Sequence, residues 1–244
     1  MSAESRPLAL AKGRGPAPSS KLRKAVFEAC SQRAEHASNL WLIYSARIGR
    51  NWVLTGDTEY LHFLCVEFDP EIESFDLKPQ PEIVRLREED RKTSFDAIVR
   101  FRDGHIECRE LKRESEPPPE PEEQLRAALQ AEAQEIAAKR HGGRYVRMVM
   151  ADFEPFHLRM QNSLRMLRFL HAAKDEPLGE VRNAVALTIR RAGAPVRLDA
   201  LAASVGGVAA FVYAAVFQML QRRQLSLPMD TEVLTGNSLV GSAK

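Results

Sequence analysis

Apolar and polar positions alternate along residues 95–101 and again along 105–111, and Arg102-Asp103-Gly104 joins the two runs. A DG turn between alternating runs predicts an antiparallel hairpin. Upstream, Leu40–Tyr44 and Asn51–Leu54 are predicted as short strands around a turn at 45–50, with Gly49 at its positive-φ position. Gly56-Asp57-Thr58 opens a predicted helix that runs through Glu59 to about Val66, with Asp57 or Thr58 as cap and Leu61, Leu64 and Cys65 on one side. Ile72–Leu77 alternates as a strand, and Pro79-Gln80-Pro81 breaks it. A helix over Glu122–Arg140 carries Leu125, Leu129, Ala133 and Ile136 on one face and ends at Gly142-Gly143. Tyr145–Ala151 reads as a buried strand, and Glu154–His171 as a helix with Leu158, Leu164, Leu167 and Leu170 inward. A helix with a weak apolar face is predicted at Lys21–Ala37, and the Pro- and Glu-rich run 114–121 as an exposed loop. This order predicts a small α/β domain around a mixed sheet.

Lys174 to Gly179 marks a boundary, after which the pattern changes. Val181, Val185 and Ile189 build a helix that stops at Gly193, and Leu198–Ser204 a short one that stops at Gly206-Gly207. Val208–Arg223 is a longer helix with Val212, Val216, Met219 and Leu220 inward, followed by a predicted hairpin of 225–227 with 232–234. Three helices and a two-stranded wing is the winged helix–turn–helix order. The expected organisation is a basic arm (1–24), an α/β domain (25–173) and a winged-helix-like domain (174–244).

Composition bounds this picture. With 44% hydrophobic and 28% charged residues among 244, the chain can bury a core without staples. Cys30, Cys65 and Cys108 form no CxxC pair, which argues for a reducing compartment and against a structural zinc site. Net charge is only +2, yet the first 24 residues carry Arg6, Lys12, Arg14, Lys21, Arg23 and Lys24 against Glu4 alone. Pro and Gly interrupt that stretch, so it reads as a disordered basic arm suited to phosphates. No apolar run follows it as a targeting segment would require, and none approaches the roughly 20 residues of a membrane span. A cytoplasmic location is expected.

The hairpin carries the chemistry. Side chains on a strand alternate faces, so Glu110 and Lys112 project from the same side. Closing the chain at Asp103-Gly104 brings Asp96 beside Glu110. Two carboxylates and an ammonium at one sheet end suit Mg²⁺ or Mn²⁺, which prefer oxygen ligands and keep several waters. Such an ion acidifies a water and holds a phosphate, while Lys112 orients the water and offsets transition-state charge. Glu59 is the candidate third carboxylate, with Glu71 and Glu73 as alternatives. An ExK triplet alone is more often a surface salt bridge; Asp96 across the turn, a Glu on the preceding helix and a following helix favour a nuclease. His62, His105, His141 and His157 are scattered and read as surface or structural. Arg147, Arg159, Arg165 and Arg168 form either a phosphate-facing set or a solvated stripe. Gln80 either shapes a DNA-facing loop or stabilises its turn.

Asp96, Glu110-Leu111-Lys112 and the upstream Glu resemble the PD-(D/E)XK nuclease motif. The flanks are similar to TnsA, the endonuclease subunit of heteromeric bacterial transposases. Tyr44-Ser45, Gly49-Arg50 and Leu54 to Glu59 resemble its approach to the catalytic Glu, and Phe68 to Ile72 with Gln80-Pro81 its strand and QP turn. Ser94 to Val99 resembles the strand that opens on the catalytic Asp, and Tyr145 to Leu170, with Asn162, the end of the nuclease domain. The likeness covers roughly residues 40 to 240. It implies a restriction-endonuclease-like mixed sheet plus a C-terminal winged helix, with metal binding by Glu59, Asp96 and Glu110 and water activation by Lys112. It also implies cleavage of the 5′ strands at transposon ends, a TnsB-like transposase that cuts and joins the 3′ ends, and a TnsC-like AAA+ ATPase regulator. Three features depart from the family: Ser94-Phe95 where it has a Pro before the Asp, Glu110 where some relatives have Gln, and the basic N-terminus. Helix Val208–Arg223, basic only at Arg222-Arg223, suits protein docking or groove reading. Two alternatives stay open: a catalytically silent DNA- or protein-binding adaptor, and a stand-alone PD-(D/E)XK nuclease of restriction or repair type.

Overall fold

The computed structural model describes residues 39–112 and 120–243. The predicted basic arm, the helix at Lys21–Ala37, Cys30 and most of the 114–121 loop lie outside the described residues. Within them the chain is mixed α/β, with six α-helices and several sheets.

Strands β1 (Trp41–Ser45) and β2 (Arg50–Leu54) pair as an antiparallel hairpin, closed by Gly49 at φ 70°. Helix α1 (Asp57–Glu67) follows. Strands β3 (Ile72–Leu77), β6 (Ala97–Phe101) and β7 (Ile106–Lys112) form an antiparallel meander, and β8 (Arg144–Val149) adds to β7 in parallel. Helix α2 (Pro121–Arg140) makes the crossover that a parallel pair needs. The sheet order is β3-β6-β7-β8. Period-two alternation fills both faces: Ala97 and Val99 join Phe63, Leu64 and Val66 of α1, whereas Ile98 and Cys108 join Ala133, Ala137 and Ala138 of α2.

Between β3 and β6 the chain inserts a second hairpin, β4 (Glu82–Leu86) with β5 (Glu89–Thr93), which packs on α2. The sequence reading lacks it, because its two-residue turn is Arg87-Glu88, both at positive φ (50° and 70°). Such turns normally announce themselves with Asn-Gly or Asp-Gly.

A 3₁₀ stretch (Met150–Phe156) leads into α3 (His157–Ala172). Helices α4 (Gly179–Ala192), α5 (Leu198–Val205) and α6 (Ala209–Gln221) come next, with β9 (Val196–Arg197) before α5, and β10 (Leu225–Ser226) and β11 (Leu239–Ser242) after α6. The small sheet runs β10-β11-β9, all antiparallel. Met166 and Leu170 of α3 share one apolar cluster with Val185, Ile189, Leu201, Val212 and Val216.

Several expectations need correction. Tyr145–Ala151 is not a buried strand: β8 ends at Val149, lies at the sheet edge and is half-exposed. Leu125 and Leu164 point outward, at 60% and 45% exposure, because α2 buries Ala133, Gln134, Ala137 and Ala138 and α3 buries Asn162, Ser163, Met166 and Leu170. The partner of β10 is 239–242, not 232–234. The Asn162 side chain holds that earlier segment, donating to the Met229 and Glu232 carbonyls and accepting the Leu234 N–H. Neither Asp57 nor Thr58 caps α1; the cap is Gly56, and Asp57 accepts from Asn39 and the Trp41 indole. Helix α6 packs against α3, α4 and α5 over most of its length, with Val208, Ala209, Arg222 and Arg223 exposed at its two ends. Among the described residues no single helix is long and apolar enough to cross a membrane.

Candidate active site

The turn Arg102-Asp103-Gly104 closes β6 onto β7 with Gly104 at φ 93°. The register pairs Ala97 with Arg109, and Asp96 lies just ahead of the paired strand, beside the Arg109–Leu111 segment. Two hydrogen bonds fix Asp96 there. Its N–H donates to the Arg109 carbonyl at 2.9 Å, and its Oδ2 accepts the Leu111 N–H at 2.7 Å. Among the described residues Oδ1 has no hydrogen-bond donor.

Glu110 is held by both oxygens. The Tyr145 hydroxyl donates to Oε2 at 2.6 Å, and Lys112 Nζ lies 3.0 Å from Oε1. Glu59, in the first turn of α1, bends back toward the chain before the helix. The Thr55 N–H donates to its Oε2 at 2.9 Å and the Thr55 hydroxyl to its Oε1 at 3.3 Å. Lys78, just after β3, completes the set. Its Nζ lies 3.2 Å from Glu59 Oε2 and donates to Thr55 Oγ1 at 2.9 Å, and its backbone N–H donates to the Asp96 carbonyl at 2.8 Å.

The carboxylates are driven apart electrostatically. Burial raises the Asp96 pKa, the Glu59 and Glu110 charges add to it, and the Leu111 N–H and Lys112 oppose it. Burial also pushes Glu110 up, but the Tyr145 hydroxyl and Lys112 outweigh it and hold the acid below its ordinary value. Tyr145 is raised in turn, by burial and then by Glu110. One carboxyl is thus biased toward its proton and its neighbour toward ionisation, a separation typical of sites where acids divide labour.

Asp96, Glu110 and Glu59 are the oxygen donors that could hold a hard divalent ion, and their chemistry fits one: such ions take one or two carboxylates and keep waters. As the side chains stand, no group of three or more His, Cys, Asp or Glu among the described residues is drawn together as a ligand set. Both glutamates face lysines instead.

The alternatives to Glu59 lie elsewhere. Glu71 precedes Ile72, which pairs with Phe101 at the far end of the sheet, and it meets Arg223 at 3.3 Å; Glu73 is exposed on β3. Gln80 is exposed. Arg159 does not face solvent phosphates: its guanidinium pairs with Asp69 and Asp230. Arg165 leans on Asn162. His62 is fully buried beside Arg109 and kept neutral by burial and that charge, whereas His105 and His141 pair with Asp103 and Glu82.

Lys78, Tyr145 and Thr55 are the residues missed from sequence. Tyr145 had a signal, since a parallel strand must lie beside the strand bearing Glu110. Lys78 had none, because its place depends on a left-handed φ of 56°, which Lys rarely adopts. Comparison with protein-family models gives no match, and comparison with curated proteins gives none. Geometry and chemistry carry the functional argument.

Proposed function

We propose that the chain is a Mg²⁺-dependent DNA endonuclease that serves as the endonuclease subunit of a heteromeric transposase and cuts the 5′ strands at transposon ends. One observation carries the nuclease chemistry: Asp96, Glu110 and Lys112 on a hairpin lie at one end of a mixed sheet, with Glu59 on the preceding helix electrostatically coupled to Asp96. The transposase role rests on the resemblance of the flanking segments to TnsA. The meander β3-β6-β7, the crossover α2 and the parallel β8 support a restriction-endonuclease-like reading. The order α4, β9, α5, α6, β10, β11 with sheet order β10-β11-β9 supports a winged-helix reading of the C-terminal unit. The resemblance gives it a TnsB-like transposase and a TnsC-like ATPase as partners.

Asp96, Glu110 and Glu59 are the residues that would hold Mg²⁺ (or Mn²⁺), and a bound ion would supply positive charge for a scissile phosphate and acidify a water. The chain's own groups prepare that chemistry. The Leu111 N–H fixes one oxygen of Asp96. Tyr145 and Lys112 grip Glu110 from two sides and keep it ionised. Lys112, half-exposed, presents its ammonium where a phosphate approaches, positioned to orient the water and to offset developing charge.

The test is strand-specific cleavage of transposon-end DNA by the purified chain with its transposase partner and Mg²⁺. Asp96→Ala abolishes 5′-strand cleavage; undiminished cutting by that variant overturns the assignment. Neighbouring genes for an RNase H-like transposase and an AAA+ ATPase distinguish a transposase subunit from a stand-alone nuclease. A second reading, a silent adaptor, draws on the lysine pairing of both glutamates; binding of end DNA without cleavage in the complete assembly favours it.

A further inference from the structure

Two lysines stand among three carboxylates, and only one of them belongs to the strand motif. Lys78 reaches the site from the end of β3 with unusual economy. Its backbone N–H anchors the Asp96 carbonyl at 2.8 Å, and its ammonium lies 3.2 Å from Glu59 and 2.9 Å from Thr55 Oγ1. The left-handed φ of 56° makes both contacts available to one residue. Non-glycine residues hold that conformation only where their surroundings fix it. The Lys78–Glu59 pair is more sheltered than the Lys112–Glu110 pair on its lysine side, 35% against 49% exposed.

The charges decide what this ammonium does. Glu59, Asp96 and Glu110 bring three negative charges when ionised, Lys78 and Lys112 two positive ones, leaving one in excess. Lys78 Nζ and the Thr55 N–H both engage Glu59 Oε2, so turning that oxygen toward a shared cation costs Glu59 the Lys78 contact. We infer that Lys78 is the resident counter-cation of the site, its ammonium competing with a divalent ion for Glu59. The inference rests on the nuclease reading of the same carboxylates. Lys78 is a positioning residue acting through Glu59 before the ion enters, and exchange sets how tightly the empty site takes up metal. A unit positive charge several ångströms from a divalent ion weakens binding strongly in a partly sheltered site, so removing it is expected to tighten binding about tenfold.

The measurement is Mn²⁺ binding to the full chain without DNA, followed by electron paramagnetic resonance and calorimetry. Wild type is compared with Asp96→Asn, Lys78→Met, Lys78→Gly and Lys78→Arg. Glycine accepts the positive φ without strain, so it tests removal of the charge even if Met disturbs folding. Lys78→Met and Lys78→Gly bind about tenfold tighter than wild type, Lys78→Arg stays within about twofold, and Asp96→Asn loses binding. If Asp96→Asn loses binding while neither neutral Lys78 variant gains affinity, or if Lys78→Arg gains as much as they do, the Lys78 inference falls alone. If Asp96→Asn binds like wild type, or no protein in the series binds Mn²⁺, the nuclease reading falls and this inference with it.

Discussion

Asp96 Oδ2 accepts the Leu111 backbone N–H at 2.7 Å, tying the acid ahead of β6 to the residue between Glu110 and Lys112. That one bond opposes burial and two neighbouring acids, which together raise the Asp96 pKa above its ordinary 3.8. A carboxyl whose pKa is higher in the folded chain favours folding while protonated. Its contribution is fully present below the unfolded value and is lost as pH rises through the folded one. Asn keeps an oxygen for Leu111 and carries no charge. Asp96→Asn is therefore expected to melt a few degrees above wild type at pH 7 without divalent ion. The gap closes below about pH 4, where both side chains are neutral. Circular dichroism melts across pH check this, and a wild type that melts higher at pH 7 contradicts it.

Tyr145 gives a prediction of opposite emphasis. Its hydroxyl is one of the groups that hold Glu110 below the ordinary carboxylate pKa. Tyr145→Phe removes a charge-assisted hydrogen bond of about 1.5–3 kcal/mol, with Glu110 free to rotate and easier to protonate. Cleavage that needs ionised Glu110 then slows roughly tenfold, and the acid limb of its pH–rate profile moves to higher pH. Equal rates and superimposable profiles would exclude a positioning role for the phenol.

Arg159 separates structure from DNA contact. The sequence allowed it to face phosphates, but its guanidinium donates to both oxygens of Asp230 at 2.8 Å and also pairs with Asp69, with only 11% of the side chain exposed. Arg159→Met strands two acids and costs about 3 kcal/mol, the low end for breaking a buried pair, since Asp230 is half-exposed. The urea midpoint falls, while the salt dependence of DNA affinity stays unchanged. A reduced salt slope in the variant would return Arg159 to the DNA surface.

What could be read in advance follows from how local each signal is. The Asp103-Gly104 turn, Gly49 and Gly193 act on their own neighbours, and all three take the positive φ their patterns require. The register that pairs Ala97 with Arg109, and so sets Asp96 beside the segment bearing Glu110, follows from that turn. The β4–β5 hairpin was hidden because Arg87 and Glu88 adopt left-handed conformations without glycine or asparagine to mark them. The second strand of the small C-terminal sheet was misplaced for a distant reason: Asn162, some 70 residues upstream, takes the backbone groups of 229–234 out of strand pairing. Lys78 belongs to the same class, since nothing near it in sequence tells that one residue will bridge the Glu59 and Asp96 segments.

Glu67 tests whether the C-terminal helices fold as one unit with the sheet. It is fully buried at the end of α1, and its carboxylate accepts from the Ser45 hydroxyl at 2.6 Å, the Ala46 and Arg47 N–H groups at 2.9 and 3.2 Å, and Gln221 Nε2 of α6 at 2.7 Å. Burial raises its pKa and these donors oppose the rise. The Arg47 guanidinium, pulled down to about 10 chiefly by its own burial, donates to the Glu67 and Asp69 carbonyls. Glu67→Ala leaves those donors buried and unpaired and is expected to cost about 3–5 kcal/mol. Gln221→Ala leaves Glu67 three donors and costs about 1–2 kcal/mol. Because both variants break the same contact, the double variant costs about as much as Glu67→Ala alone, a non-additivity expected of residues in one network. Denaturant titrations followed by fluorescence and by far-ultraviolet circular dichroism should give one coincident transition for Gln221→Ala. Two separate transitions, or strictly additive costs, would mean that α6 and the sheet fold independently and that Glu67 does not join them.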